Sequence, residues 1–408
     1  MNSTIYFDNN ATTRLAPEAL EAMLPYLTDF YGNPSSIHRF GSQVSRKIQE
    51  AREQVAALLG AADPVEIVFT SCGTEADNAA IRGILEAHPD KRHIVTTQVE
   101  HPAVLNLCQH LEKKGYRVTW LGVDQDGMLD LDELEGALTD DTALVSIMAA
   151  NNETGVLFPL DTIGEIVKGK GIAFHADAVQ AAGKIALDLK KSPVDLLTIS
   201  GHKFHGPKGV GALYVRRGIT FHPFLVGGHQ ERNRRGGTEN VAGIVGMGKA
   251  AELALKHWEE ETIRVRELRD RLEDSVVKSG PGCRVNGHRE KRLPNTLNVS
   301  FEVLEGEAVL VLLDQYGISA STGSACTAGS VEPSHVLRAM KVPPNWIQGA
   351  VRFSLSRYNT EEEVRFVGER IPAITQRLRE LSSLGRLGDP SAPSGSYDRA
   401  MDGMGVRR

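Results

Sequence analysis

With 408 residues, the chain is long enough for one large domain and a smaller one, each with its own apolar core. The net charge of −6 gives no general electrostatic support to binding of nucleic acid or of an anionic membrane, despite a basic cluster at Arg232, Arg234 and Arg235. No run of 18 or more apolar residues occurs, and the opening MNSTIYFDNNATT lacks the basic and apolar regions of a signal peptide, so a cytoplasmic location is expected.

Short β-rich runs alternate with helical ones from about residue 66 to 216. Strands are predicted at EIVFT (66–70), HIVTT (93–97), RVTWL (117–121), ALVSIMAA (143–150), IAFHAD (172–177), DLLTIS (195–200) and GALYVR (211–216). Their apolar runs are nearly continuous, as in strands covered on both faces, and the alternation implies a mostly parallel sheet between helices. GALYVR follows its predecessor closely enough to be an antiparallel partner. A long charged helix is predicted over 239–278, crossing between domains. Strands NTLNVSF, GISAS and AVRFSLS then mix with helices GEAVLVLLDQY and EEEVRFVGERIPAITQRLREL in a smaller α+β section. The expected division is a large domain over 16–260, a small one from 1–15 and 261–381, and a flexible tail over 382–408, which is poor in apolar residues.

The four cysteines, Cys72, Cys108, Cys283 and Cys326, form no CxxC pair and no disulfide framework. Cys108 lies in an apolar helical run and reads as an inert buried thiol, and Cys283 sits in a polar connector. Cys326 lies in STGSACTAGS, where every neighbour is small and nothing can build a core.

Ligands of an open α/β sheet sit at the carboxyl ends of its strands, so the residues after each strand are the candidates. EIVFT is followed by Ser71, Cys72, Gly73, Thr74 and Glu75, a small-residue turn into a helix that suits a phosphate or is a plain helix cap. Neither GxGxxG nor GxxxxGK[ST] is present there. HIVTT leads to His101, and ALVSIMAA to a loop with Asn151 and Asn152. IAFHAD ends on Asp177, an acid that needs a cationic partner in such a place, with Gln180 just beyond. DLLTIS runs into Ser200, His202, Lys203 and His205. A lysine directly after a buried strand can be desolvated, which lowers its pKa and opens Schiff-base chemistry. The HxxH pair raises zinc as a rival, without Cys or acidic neighbours at ligand spacing. Pyridoxal 5'-phosphate needs a lysine for its aldehyde, an acid for its ring nitrogen and a phosphate cup, and it gains from an imidazole face. Lys203, Asp177, the Gly73–Thr74 turn and His101 meet those needs.

At this point the motifs resemble a known family, the cysteine desulfurases of the class V aminotransferase fold. YFDNNATT, YGNPSSIHRFG, FTSCGTEADN, VEHPAV, NNETGVLFP, FHADAVQAAGK, SGHKFHGPKGVGALYVRRG, GGHQERNRRGGTEN, LPNTLNVSFE, STGSACTAGSVEPSHVLRAM and VRFSLSRYNT run in order over about residues 5–360. The cysteine loop has the longer form of the NifS/IscS group, and SCGTE and HKFHGPKG are closer to NifS. The resemblance implies an α/β chain of fold type I, with a large mostly parallel-sheet domain and a smaller α+β one.

It also implies site roles. Lys203 would bond the cofactor aldehyde, Gly73, Thr74, Ser200 and His202 would form the phosphate cup, and Thr238 would reach the phosphate of a neighbouring subunit in a homodimer. Asp177 would face the ring nitrogen, Gln180 the ring hydroxyl, and His101 would stack on the ring. Asn152 and Arg352 match residues that hold the carboxylate of L-cysteine, and Cys326 matches the sulfur acceptor, with Lys203, His101 and Cys326 as the catalytic set. No resident metal is expected, with Cys326 open as an iron–sulfur contact. The expected partner is an iron–sulfur scaffold protein that takes the sulfur, for nitrogenase or for housekeeping supply. The rivals are a transaminase or lyase on the same fold and, from another class, a catalytically silent scaffold.

Overall fold

A computed structural model of the chain describes residues 4–278, 282–322 and 333–381. Cys326 with its small-residue neighbours, and everything from residue 382 onward, lie outside the described residues, so the expectations of Cys326 as sulfur acceptor and of a flexible tail remain sequence readings. In chain order the strands are β1 (Ile5–Tyr6), β2 (Ile67–Thr70), β3 (His93–Thr97), β4 (Arg117–Leu121), β5 (Thr142–Ser146) and β6 (Ala173–Asp177). They continue with β7 (Leu196–Ser200), β8 (Gly211–Val215), β9 (Cys283–Val285), β10 (Thr296–Phe301), β11 (Ile318–Ser319) and β12 (Ala350–Ser354).

Seven strands form one sheet in the order β2-β8-β7-β6-β5-β3-β4. All pairings among β3 to β7 are parallel, and β8 runs antiparallel to both β7 and β2. The predicted hairpin partner is therefore the one reversed strand. β2, β3, β5, β7 and β8 are buried along their whole length, because helices cover both faces. One face packs on the helices Gly73–Ala87 and Pro102–Glu112 through Ile81, Ile84, Val104 and Leu107. The other packs a larger cluster around Phe69, Phe174 and Tyr214. At about 1.5–3 kcal/mol for each large apolar side chain fully buried, these two layers are the main source of the sheet's stability.

The fifth predicted strand is shorter than its apolar run. β5 ends at Ser146, although the N–H groups of Ile147 and Ala149 still donate to the carbonyls of His175 and Asp177 at 3.1 and 2.8 Å. Residues 147–150 are apolar because they are buried, not because they continue a regular strand.

The predicted crossing helix is Val241–Val277. Its first half carries small residues and lies close against the large core. A Cβ on Gly248 would sit 2.6 Å from the Cα of Ala51, and one on Gly246 would sit 2.5 Å from the Sδ of Met23. Its second half gives Val265, Leu268, Leu272 and Val276 to a second cluster around Leu297, Val299, Val351 and Phe353 of the three-stranded sheet β12-β10-β9. Phe7 from the N-terminal segment enters that same cluster, whereas Val336, Leu337 and Met340 join the larger core. Among the described residues no helix is long and apolar enough to cross a membrane.

Candidate functional site

The carboxyl ends of β2, β3, β6 and β7 open onto one cavity of about 350 Å³. Its lining includes Gly73, Thr74, His101, Asn152, Asp177, Gln180, Ser200, His202, Lys203 and Arg352, so the sequence-predicted residues of the described chain converge there, Thr238 excepted.

Lys203 ends a 3-10 turn, Gly201–Lys203, that begins where β7 stops. Its Nζ donates to the carbonyl oxygens of Asn10 at 2.5 Å and Ala11 at 2.9 Å. Asp177 is the last residue of β6, and its Oδ1 accepts from the N–H of Val179 at 2.9 Å. Burial raises its pKa to about 6, against the pull of the Val179 N–H and the positive charge of Lys203. His101 caps the helix Pro102–Glu112, with Nδ1 accepting the N–H of Ala103 at 3.1 Å. That bond leaves the ring proton on Nε2. Burial first, then Lys203 and His335, push the His101 pKa down to about 4, so the ring is neutral near pH 7. His202 turns Nδ1 to the Thr12 hydroxyl at 3.1 Å, and burial holds it too at about 4.

Arg352, in the middle of β12, is 2% exposed. It donates from Nη2 to Asp8 Oδ1 at 2.7 Å and from Nη1 to the carbonyl of Asn152 at 2.9 Å, while its Nε has no partner among the described residues. The side-chain Oδ1 of Asn152 is likewise buried without a partner among them. Both sides of the undescribed cysteine segment are fastened here. Ser321 exchanges backbone hydrogen bonds with Arg352, and Ser334 donates its hydroxyl to Glu153 Oε2 at 2.5 Å.

Thr238 lies elsewhere, lining a separate cavity of about 90 Å³ with Ser71, Glu231 and Arg235. Arg235 in turn pairs with Glu75 at 2.9 Å on the first turn of the helix Gly73–Ala87, so the two cavities share a wall. Cys72 of the small-residue turn also lines the main cavity, as does Asp77, which sequence reasoning gave no role. Asp77 stands one helical turn after Gly73, a spacing that brings it to the same face; burial and then the Asp177 charge hold its pKa well above the usual carboxylate range. Asn10 was also missed. Its amide and backbone bond to Gln180, Lys184, Asn295, Thr296, Asn152 and Ser354.

Chemically, the cavity offers an amine, a buried acid on the strand beside it, a neutral imidazole, the N–H groups at a helix start and a buried guanidinium. Together these suit a phosphorylated carbonyl compound and a small carboxylate. No group of three or more metal-ligating side chains occurs among the described residues.

The class V aminotransferase family model matches residues 5–367. The cysteine desulfurase of Trichormus azollae is 63% identical over 380 residues, covering 93% of this chain and 95% of its own. The cysteine desulfurase NifS of Azotobacter vinelandii is 54% identical over 378 residues, covering 93% and 94%. A solved NifS-like protein superimposes with a TM-score of 0.87 at 43% identity, over 92% of this chain and all of that one. A second, the NifS-like protein from Rickettsia africae, gives 0.83 at 32% over the same shares. Strand order, the strand-end cavity and these likenesses agree: the chain belongs to the class V aminotransferase family and, within it, to the NifS-like cysteine desulfurases.

Proposed function

We propose that the cavity binds pyridoxal 5'-phosphate and that the chain converts L-cysteine to L-alanine, leaving a persulfide on Cys326. The convergence of Lys203, Asp177, His101 and Arg352 on one cavity carries this reading. The residues fit the cofactor. Asp177 is a buried acid for the ring nitrogen, Lys203 an amine for the aldehyde, and His101 a neutral ring to lie against it. Gln180 serves the ring hydroxyl. The start of the helix Gly73–Ala87, with Thr74, Ser200 and His202, suits the phosphate. Gly73 is required there by close packing, since a Cβ would meet Val179 Cγ2 at 2.9 Å. Thr238 serves the phosphate of a second copy in a homodimer, which accords with its place outside this chain's own cavity.

Pyridoxal phosphate supplies an electron sink for the charge that develops at the substrate Cα. The chain does the rest. Arg352 orients the substrate carboxylate by charge-assisted hydrogen bonds, with the unpartnered Oδ1 of Asn152 beside it. Lys203 Nζ takes the Cα proton, and Asp177 would supply a negative charge to hold a proton on the ring nitrogen. His101, protonated on Nε2 alone, moves a proton at the sulfur. Cys326 attacks that sulfur: the Cβ–S bond breaks and an S–S bond forms, Cβ takes a proton in place of the sulfur and Cα regains the proton held by Lys203, so that thiol plus cysteine becomes persulfide plus alanine. The anchoring of Ser321 on Arg352 and of Ser334 on Glu153 supports delivery of that thiol to this cavity. The sulfur then passes to an iron–sulfur scaffold protein, and likeness to NifS favours supply to nitrogenase cluster assembly over a housekeeping role.

The purified protein, given L-cysteine and a thiol reductant, should release alanine and sulfide in equal amounts. Pyruvate and ammonia in place of alanine would make it a lyase, and 3-mercaptopyruvate with the sulfur retained a transaminase.

A further inference from the structure

The mechanism leaves one amine beside the site unused. Lys184 donates from Nζ to Gln180 Oε1 at 2.8 Å and to Asn10 Oδ1 at 3.4 Å. The other end of the Gln180 amide, Nε2, donates to the Asn10 carbonyl at 2.9 Å, and that same oxygen accepts Lys203 Nζ at 2.5 Å. An unbroken run of hydrogen bonds thus joins Lys184 to Lys203 through two amides. The two lysines also line a third cavity, of about 50 Å³, together with His205, Glu261 and Arg357.

We propose that Lys184 is a positioning residue for the reaction: it sets the orientation of the Gln180 amide and, through the Asn10 carbonyl, the place and proton affinity of the Lys203 amine. This rests on the reading of Lys203 as the amine that bonds the cofactor. An amide side chain can present either end, and Lys184 selects the one that turns Nε2 toward Asn10. Without that donor, Gln180 Oε1 is left unsatisfied and the amide turns to find another partner. The Asn10 carbonyl then loses its second donor and holds a proton on Lys203 more strongly. The groups facing Lys184 fit this picture. Burial, then the charges of Lys203 and Arg352, hold its pKa well below that of an ordinary lysine, while Glu261 and Arg357, which line the same third cavity, pair with each other at 3.1 Å.

The test is a pH titration of the visible band of the holoenzyme, which reports the cofactor–lysine linkage, in wild type, Lys184→Met and Lys184→Arg. Lys184→Met should keep its cofactor and raise the titration midpoint by about half a unit to one unit. Its kcat should fall about tenfold while KM for L-cysteine stays within about twofold. Lys184→Arg keeps a donor and should restore most of the midpoint. An unchanged midpoint in Lys184→Met overturns the proposal, and a lower melting temperature with that unchanged midpoint shows a merely structural lysine. Failure of the wider reading is separate: the wild-type holoenzyme would then lack the visible band altogether.

Discussion

The amine of Lys203 and the guanidinium of Arg352 are held by the same short run of chain, residues 8–11. Lys203 donates to the carbonyls of Asn10 and Ala11, and Arg352 to the carboxylate of Asp8. The amine proposed to remove a proton and the guanidinium proposed to grip the substrate therefore share one support, inserted between β12 and the turn after β7.

Arg352→Lys should separate binding from cofactor chemistry. A lysine keeps the charge but has no planar fork to serve both Asp8 and the Asn152 carbonyl. Losing one charge-assisted hydrogen bond is worth about 1.5–3 kcal/mol, so KM for L-cysteine should rise roughly 10- to 100-fold. Steady-state kinetics beside an unchanged visible spectrum would bear this out; an unchanged KM would remove Arg352 from the carboxylate role.

Two further variants divide the reaction. Lys203→Ala should lose the visible band of the lysine-bonded cofactor and about 10²–10⁴-fold or more of its turnover. Cys326→Ala should keep the band and still respond spectrally to L-cysteine, yet release no sulfide in the presence of a reductant. Full turnover in Cys326→Ala would mean that another thiol takes the sulfur.

The buried pair Arg52–Glu231 fastens the loop that carries Thr238 to β2. Arg52 meets Glu231 through two bonds, at 2.7 and 2.8 Å, and the N–H of Phe69 adds a third at 3.0 Å. Arg52→Met strands a buried carboxylate and should cost about 3–5 kcal/mol in urea unfolding. A double change with Glu231→Met leaves no unpaired charge and should recover much of that loss. Similar stability of the single and double variants would contradict this account.

Acid sensitivity should trace in part to His175. Burial holds its pKa down to about 3, and its ring sits between the hydroxyls of Ser146 and Thr198. Below the ordinary histidine value of about 6.5 the unfolded chain takes up a proton that the folded chain refuses, so this group's contribution is intact above that pH and is lost as pH falls toward 3. Wild type should therefore lose its stability advantage over His175→Gln by about 1.4 kcal/mol per pH unit between roughly pH 6 and 4. Unfolding curves at several pH values give the gap directly, and a constant gap would place the titration elsewhere.

Much of the fold was legible because fully buried strands are written as continuous apolar runs and chemistry follows their ends. β3 and β4 have the predicted bounds, and Asp177, Ser200 and Lys203 fall where strand-end reasoning puts them. The same rule overran at β5, since apolar composition reports burial and not backbone geometry. Contacts set by three-dimensional meeting left no local signal. Arg52 and Glu231 belong to distant segments, Asp8 and Asn10 look like ordinary turn residues, and nothing in HQERNRR foretells that Glu231, Arg232 and Asn233 adopt left-handed backbone at φ 46°, 59° and 63°. Lys184 had a faint signal in its four-residue spacing from Gln180.

The reversed strand β8 also sets the order in which the molecule can be built. Within the sheet β2 touches β8 alone, with Thr70 beside Gly211. At about 5–20 residues per second of synthesis, β2 waits roughly 7 to 30 s for that neighbour, the one it has among the described residues, to emerge. Lys203 leaves the ribosome just before that neighbour. Residues 8–11 wait longer still, until Ser354 is made, for their partner in β12. A support made long before β12 is thus completed only by β12, and a nascent chain stopped short of that strand would carry the lysine without the whole frame that holds it.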